Sequence, residues 1–235
     1  MKKLGIIGAM TVEVDTLKSQ MQDLHVTSRA GMEFYEGTLE GLPVVVVVCG
    51  VGKVNAALCV QVLCDCFAVT HIVNTGVAGS LDSALDIGDL VISRDAMYHD
   101  FDCHPINDHY AVGQVPGLSV LAFPADEELI HAAYAAAEAV QPGHNRIGRV
   151  ASGDQFVCSA AQKDYIIQHT GALCTEMEGA AISHAAWKNG IPFVVIRAIS
   201  DKADASAEMD YPTFEAIAAR QCAAVTRNLA KKLGE

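Results

Sequence analysis

The chain has 235 residues, of which 51% are apolar and 19% charged, and its formal charge is −12. That length and balance fit a folded domain with a substantial core and exclude a disordered chain. A chain this acidic lacks the basic surface that nucleic acid or an anionic membrane requires, while a small neutral or cationic substrate stays open.

Lys2 and Lys3 run straight into Leu4–Ile7, an apolar stretch too short for a signal peptide and read as a strand. No stretch approaches the ~20 apolar residues of a membrane span, so a cytoplasmic protein is expected. Thr11–Met21 predicts a helix, with Val14, Leu17 and Met21 on one face. Met32–Leu39 and Pro43–Cys49 read as strands joined by a turn at Glu40-Gly41, an antiparallel pair. The run Val44–Val48 fits a strand covered on both faces. Val54–Phe67 predicts a helix, His71–Thr75 a strand ending in a loop over Gly76–Ser80, and Asp89–Met97 another strand. Tyr98–Phe123 is rich in His, Pro, Gly and Asp and has no period. It predicts a long loop, a class of segment that is often functional.

Ala125–Val140 predicts a helix with Asp126 at its start, Arg146–Ser152 a strand, and Ala160–His169 a helix. A short strand is expected near Leu173, then a helix over Met177–Asn189 that stops at Gly190. Pro192–Ile199 reads as a buried strand. Tyr211–Leu233 is the last predicted helix, with Asp210 as N-cap and Pro212 in its first turn. Strand and helix alternate without a linker. This predicts a single α/β domain over residues 1–235, a three-layer sandwich with a central mixed, mostly parallel sheet and helices on both faces. The eight cysteines form no Cys-x-x-Cys pair, and Cys64-x-Cys66 is too tight for zinc. Cys49, Cys59, Cys64, Cys66, Cys174 and Cys222 are expected to act as small hydrophobes.

Open α/β sheets bind ligands at the carboxyl ends of their strands, so the residues there are the candidates for chemistry. Glu13 follows Gly8 in the first turn of a helix, where the macrodipole alone would favour an acid. The glycines of Asn74-Thr75-Gly76-Val77-Ala78-Gly79 allow a ligand to approach the backbone, or make a plain turn. Phe156, after Ser152-Gly153-Asp154-Gln155, could stack on an aromatic base or be a core aromatic. Thr175 and Glu178 have the T-x-x-E spacing of a capping box. That accounts for Glu178 but leaves Glu176 without an ordinary role in an apolar setting. Arg197, inside the apolar run Phe193–Ile199, requires a partner, and Asp201 emerges beside Ser200 at the strand end. A structural ion pair between Arg197 and one glutamate is the plain alternative there.

Seven motifs in order resemble the nucleoside phosphorylase/hydrolase family, and within it the bacterial 5′-methylthioadenosine/S-adenosylhomocysteine nucleosidases. They are Gly5-Ile-Ile-Gly-Ala-Met10, Gly50-Val-Gly-Lys-Val-Asn-Ala-Ala57, Asn74-Thr-Gly-Val-Ala-Gly79, Tyr98-His-Asp100, Ser152-Gly-Asp154, Glu176-Met-Glu178 and Arg197-Ala-Ile-Ser-Asp201. The resemblance implies cleavage of an N-glycosidic bond in an adenine nucleoside, with no metal or organic cofactor. It implies that Glu13 deprotonates the attacking water and that Asp201 protonates purine N7. Glu178 would bind the ribose hydroxyls, with Met177 against the sugar, and Met10 and Tyr211 would line the sugar and 5′ side. Phe156 would stack on adenine while the backbone of Phe156 and Val157 reads its N1 and N6 edge. Glu176, Arg197 and Ser200 would support the site.

The resemblance also implies a homodimer in which the segment Phe101–Gln114 reaches into the partner's site. Members that use phosphate carry an arginine and a Ser or Thr in the loop matching Asn74–Val77. Asn74 and Val77 supply neither, so water is the expected nucleophile. Val77 also departs from the nucleosidase pattern, where a serine is usual. An aminodeoxyfutalosine nucleosidase, a purine nucleoside phosphorylase and a non-catalytic nucleoside sensor are the alternatives.

Overall fold

The computed structural model describes residues 2–106 and 109–234. In chain order its elements are β1 (Leu4–Gly8), α1 (Thr11–Gln20), β2 (Gln22–Arg29), β3 (Met32–Leu39), β4 (Leu42–Val48), α2 (Lys53–Phe67), β5 (His71–Ser80) and β6 (Leu90–Tyr98). There follow β7 (Phe123–Pro124), α3 (Glu127–Val140), β8 (Asn145–Ser152), α4 (Ala160–Thr170), β9 (Cys174–Glu176), α5 (Gly179–Asn189), β10 (Phe193–Asp201) and α6 (Ala207–Gly234).

The strands build one mixed sheet in the order β10-β6-β8-β9-β5-β1-β4-β3-β2, with β7 beside β6. β10 also pairs with β5, so β5, β9, β8, β6 and β10 close into a ring within the sheet. β1 lies parallel to β4 and β5, β10 parallel to β5, and β8 parallel to β6 and β9. α1, α3 and α6 pack together as one group and α2 packs on α5 as another, which gives the helical layers on the two faces. Every residue of β1 and β10 is buried. Strands covered on both sides explain the unbroken apolar runs, and each buried Val, Leu or Ile contributes about 1.5–3 kcal/mol.

The turn at Glu40-Gly41 has φ of +51° and +81°, the two left-handed residues of a tight hairpin. Asp126 caps α3 by accepting from Leu129 N at 2.9 Å. Gly190 ends α5 at φ +66°. Among the described residues between Tyr98 and Phe123 there is no helix or strand. The expected partner-reaching segment Phe101–Gln114 includes residues 107 and 108, which lie outside the described residues.

Four expectations change. β5 does not end at Thr75 but runs to Ser80, because Gly76–Gly79 pair with β10 and Gly79 and Ser80 also pair with β9. α6 starts at Ala207, so Asp210 is not its N-cap and Pro212 lies inside the helix. Asp210 instead accepts from the Ser206 hydroxyl at 2.7 Å, one turn earlier. β2 went unpredicted: it is an edge strand exposed on both faces, and no apolar alternation marks it. Cys66 is exposed rather than packed as a small hydrophobe, whereas half-buried Cys64 does pack against the core, and all eight cysteines are free thiols. Among the described residues no helix is long and apolar enough to cross a membrane.

Candidate active site

β1, β5 and β10 run parallel and bring their carboxyl ends to a cleft open to solvent, which the end of β9 and the residues after β8 also line. Among the described residues four acids line it, Glu13, Glu176, Glu178 and Asp201, and no Lys, Arg or His does.

Glu13 is held from three sides. Its Oε2 accepts from Ala9 N at 2.7 Å and Met10 N at 2.9 Å, and its Oε1 accepts from Val77 N at 3.2 Å. Burial pushes its pKa above the usual carboxylate value, against the pull of Arg197 and these amides. Gly76 makes room for it, because a Cβ there would sit 2.3 Å from Glu13 Oε1 and 3.1 Å from Arg197 Nη1. The Gly76→Ala protein is therefore expected to lose about 1–3 kcal/mol of stability by overpacking, measured as a fall in Tm; an unchanged Tm would show that the carboxylate can move freely.

Asp201 ends β10 just after a bulge that leaves Ser200 out of register. Such a bulge re-aims the side chain that follows it. Asp201 Oδ1 accepts from Ala203 N at 2.8 Å, and Oδ2 accepts from the Ser200 hydroxyl at 2.9 Å. Burial raises its pKa, the two donors lower it, and Asp210 and Asp204 add to the rise. Gly79 is the neighbour in register on β5, and a Cβ there would lie 2.7 Å from Asp201 Oδ1. The two glycines thus admit two carboxylates, and Gly79 also lines the cleft, where its bare backbone is open to a ligand. Glu13 touches β5 at Gly76 and Val77, and Asp201 touches it further along the strand at Gly79.

Glu176 and Arg197 form the buried pair that the apolar run demanded, with their side chains 4% and 2% exposed. Arg197 also donates to Asn74 Oδ1, and Asn74 Nδ2 donates to Ile7 O at 3.0 Å. Burial works to raise the Glu176 pKa, but Arg197, the Ser152 hydroxyl and the Gly179 amide together hold it below the usual carboxylate range. Arg197 lies behind the cleft wall and does not line it.

The expected Thr175–Glu178 capping box does not form. Thr175 belongs to β9, and Glu178 is itself the N-cap of α5 without a side-chain capping bond. Glu176 caps the helix instead, accepting from Glu178 N at 3.1 Å and Gly179 N at 2.8 Å. That frees the Glu178 carboxyl for the cleft, where Gly52 N donates to it at 2.8 Å. Burial, and then the neighbouring Glu176, push the Glu178 pKa up to about 8.

Opposite the carboxylates lies an apolar rim. Phe156 meets Tyr211 edge to face at 5.6 Å, and the Tyr211 hydroxyl contacts Met10 Sδ at 3.3 Å. Phe156 is 45% exposed, so it is no core aromatic.

A family model described as the phosphorylase superfamily matches residues 3–231. The chain belongs to the phosphorylase superfamily. A relative from Halalkalibacterium halodurans, named 5′-methylthioadenosine/S-adenosylhomocysteine nucleosidase, is 40% identical over 235 residues and all of both chains. The solved structure of the Neisseria meningitidis protein of that name, in complex with methylthio-immucillin-A, has a TM-score of 0.94 at 36% identity, covering 99% of this chain and 100% of that one. A futalosine hydrolase from Helicobacter pylori has a TM-score of 0.92 at 31% identity, covering 98% of each chain.

For this superfamily member, the cleft gathers every residue expected from the sequence except Arg197: Met10, Glu13, Val77, Phe156, Val157 and Glu176, together with Met177, Glu178, Ser200, Asp201 and Tyr211. It adds Thr175, Gln155 and Val51, which sequence reasoning missed. Thr175 pairs in register with Gly79, which pairs in turn with Asp201, so the three stand side by side on one face of the sheet. The buried Thr175 hydroxyl has no hydrogen-bond partner among the described residues. Only the strand register places it, and one sequence does not contain that register.

Proposed function

We propose that this chain hydrolyses the N-glycosidic bond of 5′-methylthioadenosine and S-adenosylhomocysteine, and of 5′-deoxyadenosine, to adenine and the 5′-substituted ribose. One observation carries the choice of water as nucleophile: among the described residues the cleft is lined by four acids and no cation. Phosphate would meet repulsion there. Arg197 is engaged by Glu176, and Asn74 is bonded on both sides.

In this reading Glu13 orients and deprotonates the water. Its raised pKa makes it a stronger base than a free carboxylate, and the three amides fix its lone pairs. Asp201 donates a proton to purine N7 as the bond breaks, so that adenine leaves neutral. Ser200 and Ala203 N hold its carboxyl in place. As the ribosyl group becomes oxocarbenium-like, the acidic wall stabilises its charge. Glu178 receives the ribose hydroxyls, Met177 backs the sugar, Phe156 stacks on adenine, and the backbone at Phe156 and Val157 reads its edge. Met10 and Tyr211 line the 5′ side.

The reaction is tested by incubating the protein with methylthioadenosine in phosphate-free buffer. Adenine release is expected; release that depends on phosphate and yields a ribose 1-phosphate would overturn the reading in favour of a phosphorylase. A second reading, an aminodeoxyfutalosine nucleosidase, draws on the Helicobacter pylori futalosine hydrolase likeness. Relative kcat/KM across the 5′ substituents separates the two.

The chain is further proposed to act as one domain, in the cytoplasm, as a homodimer. Exposed Val54 and Leu58 on α2 continue from Val51 at the cleft, and Ile106 is exposed as well. A second copy would cover this apolar surface.

A further inference from the structure

Lys53, Asp100 and Asp154 do not line the cleft, yet they are bound together beside it. Lys53 Nζ donates to Asp100 Oδ1 at 2.7 Å and Oδ2 at 2.6 Å, and lies 3.7 Å from Asp154 Oδ2. Asp154 Oδ1 accepts from Lys53 N at 2.8 Å, and Asp154 N donates to Asp100 Oδ2 at 2.9 Å. Three segments meet here: the start of α2, the residues after β6 and the turn after β8.

Both ends of the cluster border the cleft. Gly52, which precedes Lys53, gives Glu178 the one hydrogen bond its carboxylate receives among the described residues. Asp154 precedes Gln155 and Phe156, which line the cleft where the base is proposed to stack. Gly52 has φ +97°, a backbone shape open mainly to glycine, and a Cβ on it would come 3.2 Å from Asp154 Oδ1. The direction of the Gly52 N–H is therefore set by where Asp154 holds the first turn of α2. A plain surface ion pair would bind two side chains; this one also fixes the backbone amides of Lys53 and Asp154, in two segments that lead into the cleft.

We infer that the Lys53–Asp100–Asp154 cluster is a positioning device that couples the base-binding turn to the aim of the Glu178 carboxylate. The inference rests on the ribose role proposed above for Glu178. Lys53 touches no substrate in it, but it governs how strongly the site distinguishes a ribose with its hydroxyls from one without.

The test compares kcat/KM for methylthioadenosine and its 3′-deoxy analogue in the wild type, Lys53→Met, Asp100→Asn and Lys53→Arg. The 3′ position is remote from the bond that breaks. In the wild type, loss of a hydroxyl bound to a buried carboxyl is expected to cost about 10–100-fold. In Lys53→Met and Asp100→Asn that penalty is expected to shrink to about threefold or less, the signature of coupled groups, while Lys53→Arg restores it. A wild type without a penalty would sink the Glu178 reading and this inference with it. A wild-type penalty that persists in full in both variants overturns the inference alone. A fall in kcat/KM that is equal for the two substrates also overturns it, because that is what a helix cap with only a structural role would give.

Discussion

The Asp201→Asn protein is expected to bind methylthioadenosine nearly as the wild type does and to turn it over about 10²–10⁴-fold more slowly, the usual worth of a general acid. Asparagine keeps the shape and can still donate a hydrogen bond to a purine nitrogen, but it cannot transfer a proton. Its carbonyl can still accept from Ala203 N, the bond that holds Asp201 Oδ1 at 2.8 Å. The pH dependence gives a second readout. Burial raises the Asp201 pKa above its ordinary value, and the acid is active when protonated. The wild-type rate should therefore fall as pH rises through that raised value, and the substituted protein should lack this alkaline limb. Glu13 must be ionised, so the rate should fall as pH drops through its own raised pKa, a limb that both proteins keep. A wild-type kcat in Asp201→Asn, or an alkaline limb that survives the substitution, would mean that another group protonates the base.

Much of this was legible in the sequence because the relevant physics is local. Buried parallel strands announce themselves as apolar runs, and Arg197 inside one of them signalled a partner before the partner was known. Local caps were read well where the cap is a side chain beside its own helix, as at Asp126, and wrongly where it is not. The Thr175–Glu178 spacing satisfied the capping-box pattern, but strand pairing claimed Thr175 and Glu176 took over the cap. Similarly, Gly76 and Gly79 marked a close approach without saying of what. Glu13 and Asp201 fill those spaces from distant elements, and such tertiary contacts leave no trace in spacing. β2 is the opposite failure: it exists because β3 offers an edge, while its own residues face water on both sides and carry no period. The closure of β10 onto β5, which brings Asp201 over Gly79, is likewise a property of the assembled sheet.

The largest loss of stability is expected from Arg197→Met. It removes the cation that holds Glu176 ionised, leaving a carboxylate that is 4% exposed with no counter-charge. Breaking a buried pair by removing one partner costs about 3–5 kcal/mol, which for a chain of this size lowers Tm by about 6–20 °C. The pH dependence has a definite sign. In the wild type Glu176 titrates below its unfolded value, so its contribution is complete above that value and is lost on acidification. Without Arg197, burial dominates and moves its pKa above the unfolded value. The folded state then favours the protonated acid, and the variant loses stability as pH rises. The gap in Tm between variant and wild type should accordingly be widest above neutrality and narrow toward pH ~5. Adding Glu176→Gln removes the stranded charge but keeps a carbonyl to accept from Glu178 N and Gly179 N. The double variant should recover part of the loss, with a coupling energy of about 1–3 kcal/mol. An Arg197→Met protein that melts with the wild type at every pH would show that water reaches Glu176, and the pair behind the cleft wall would then contribute nothing to holding α5 and its Glu178 in place.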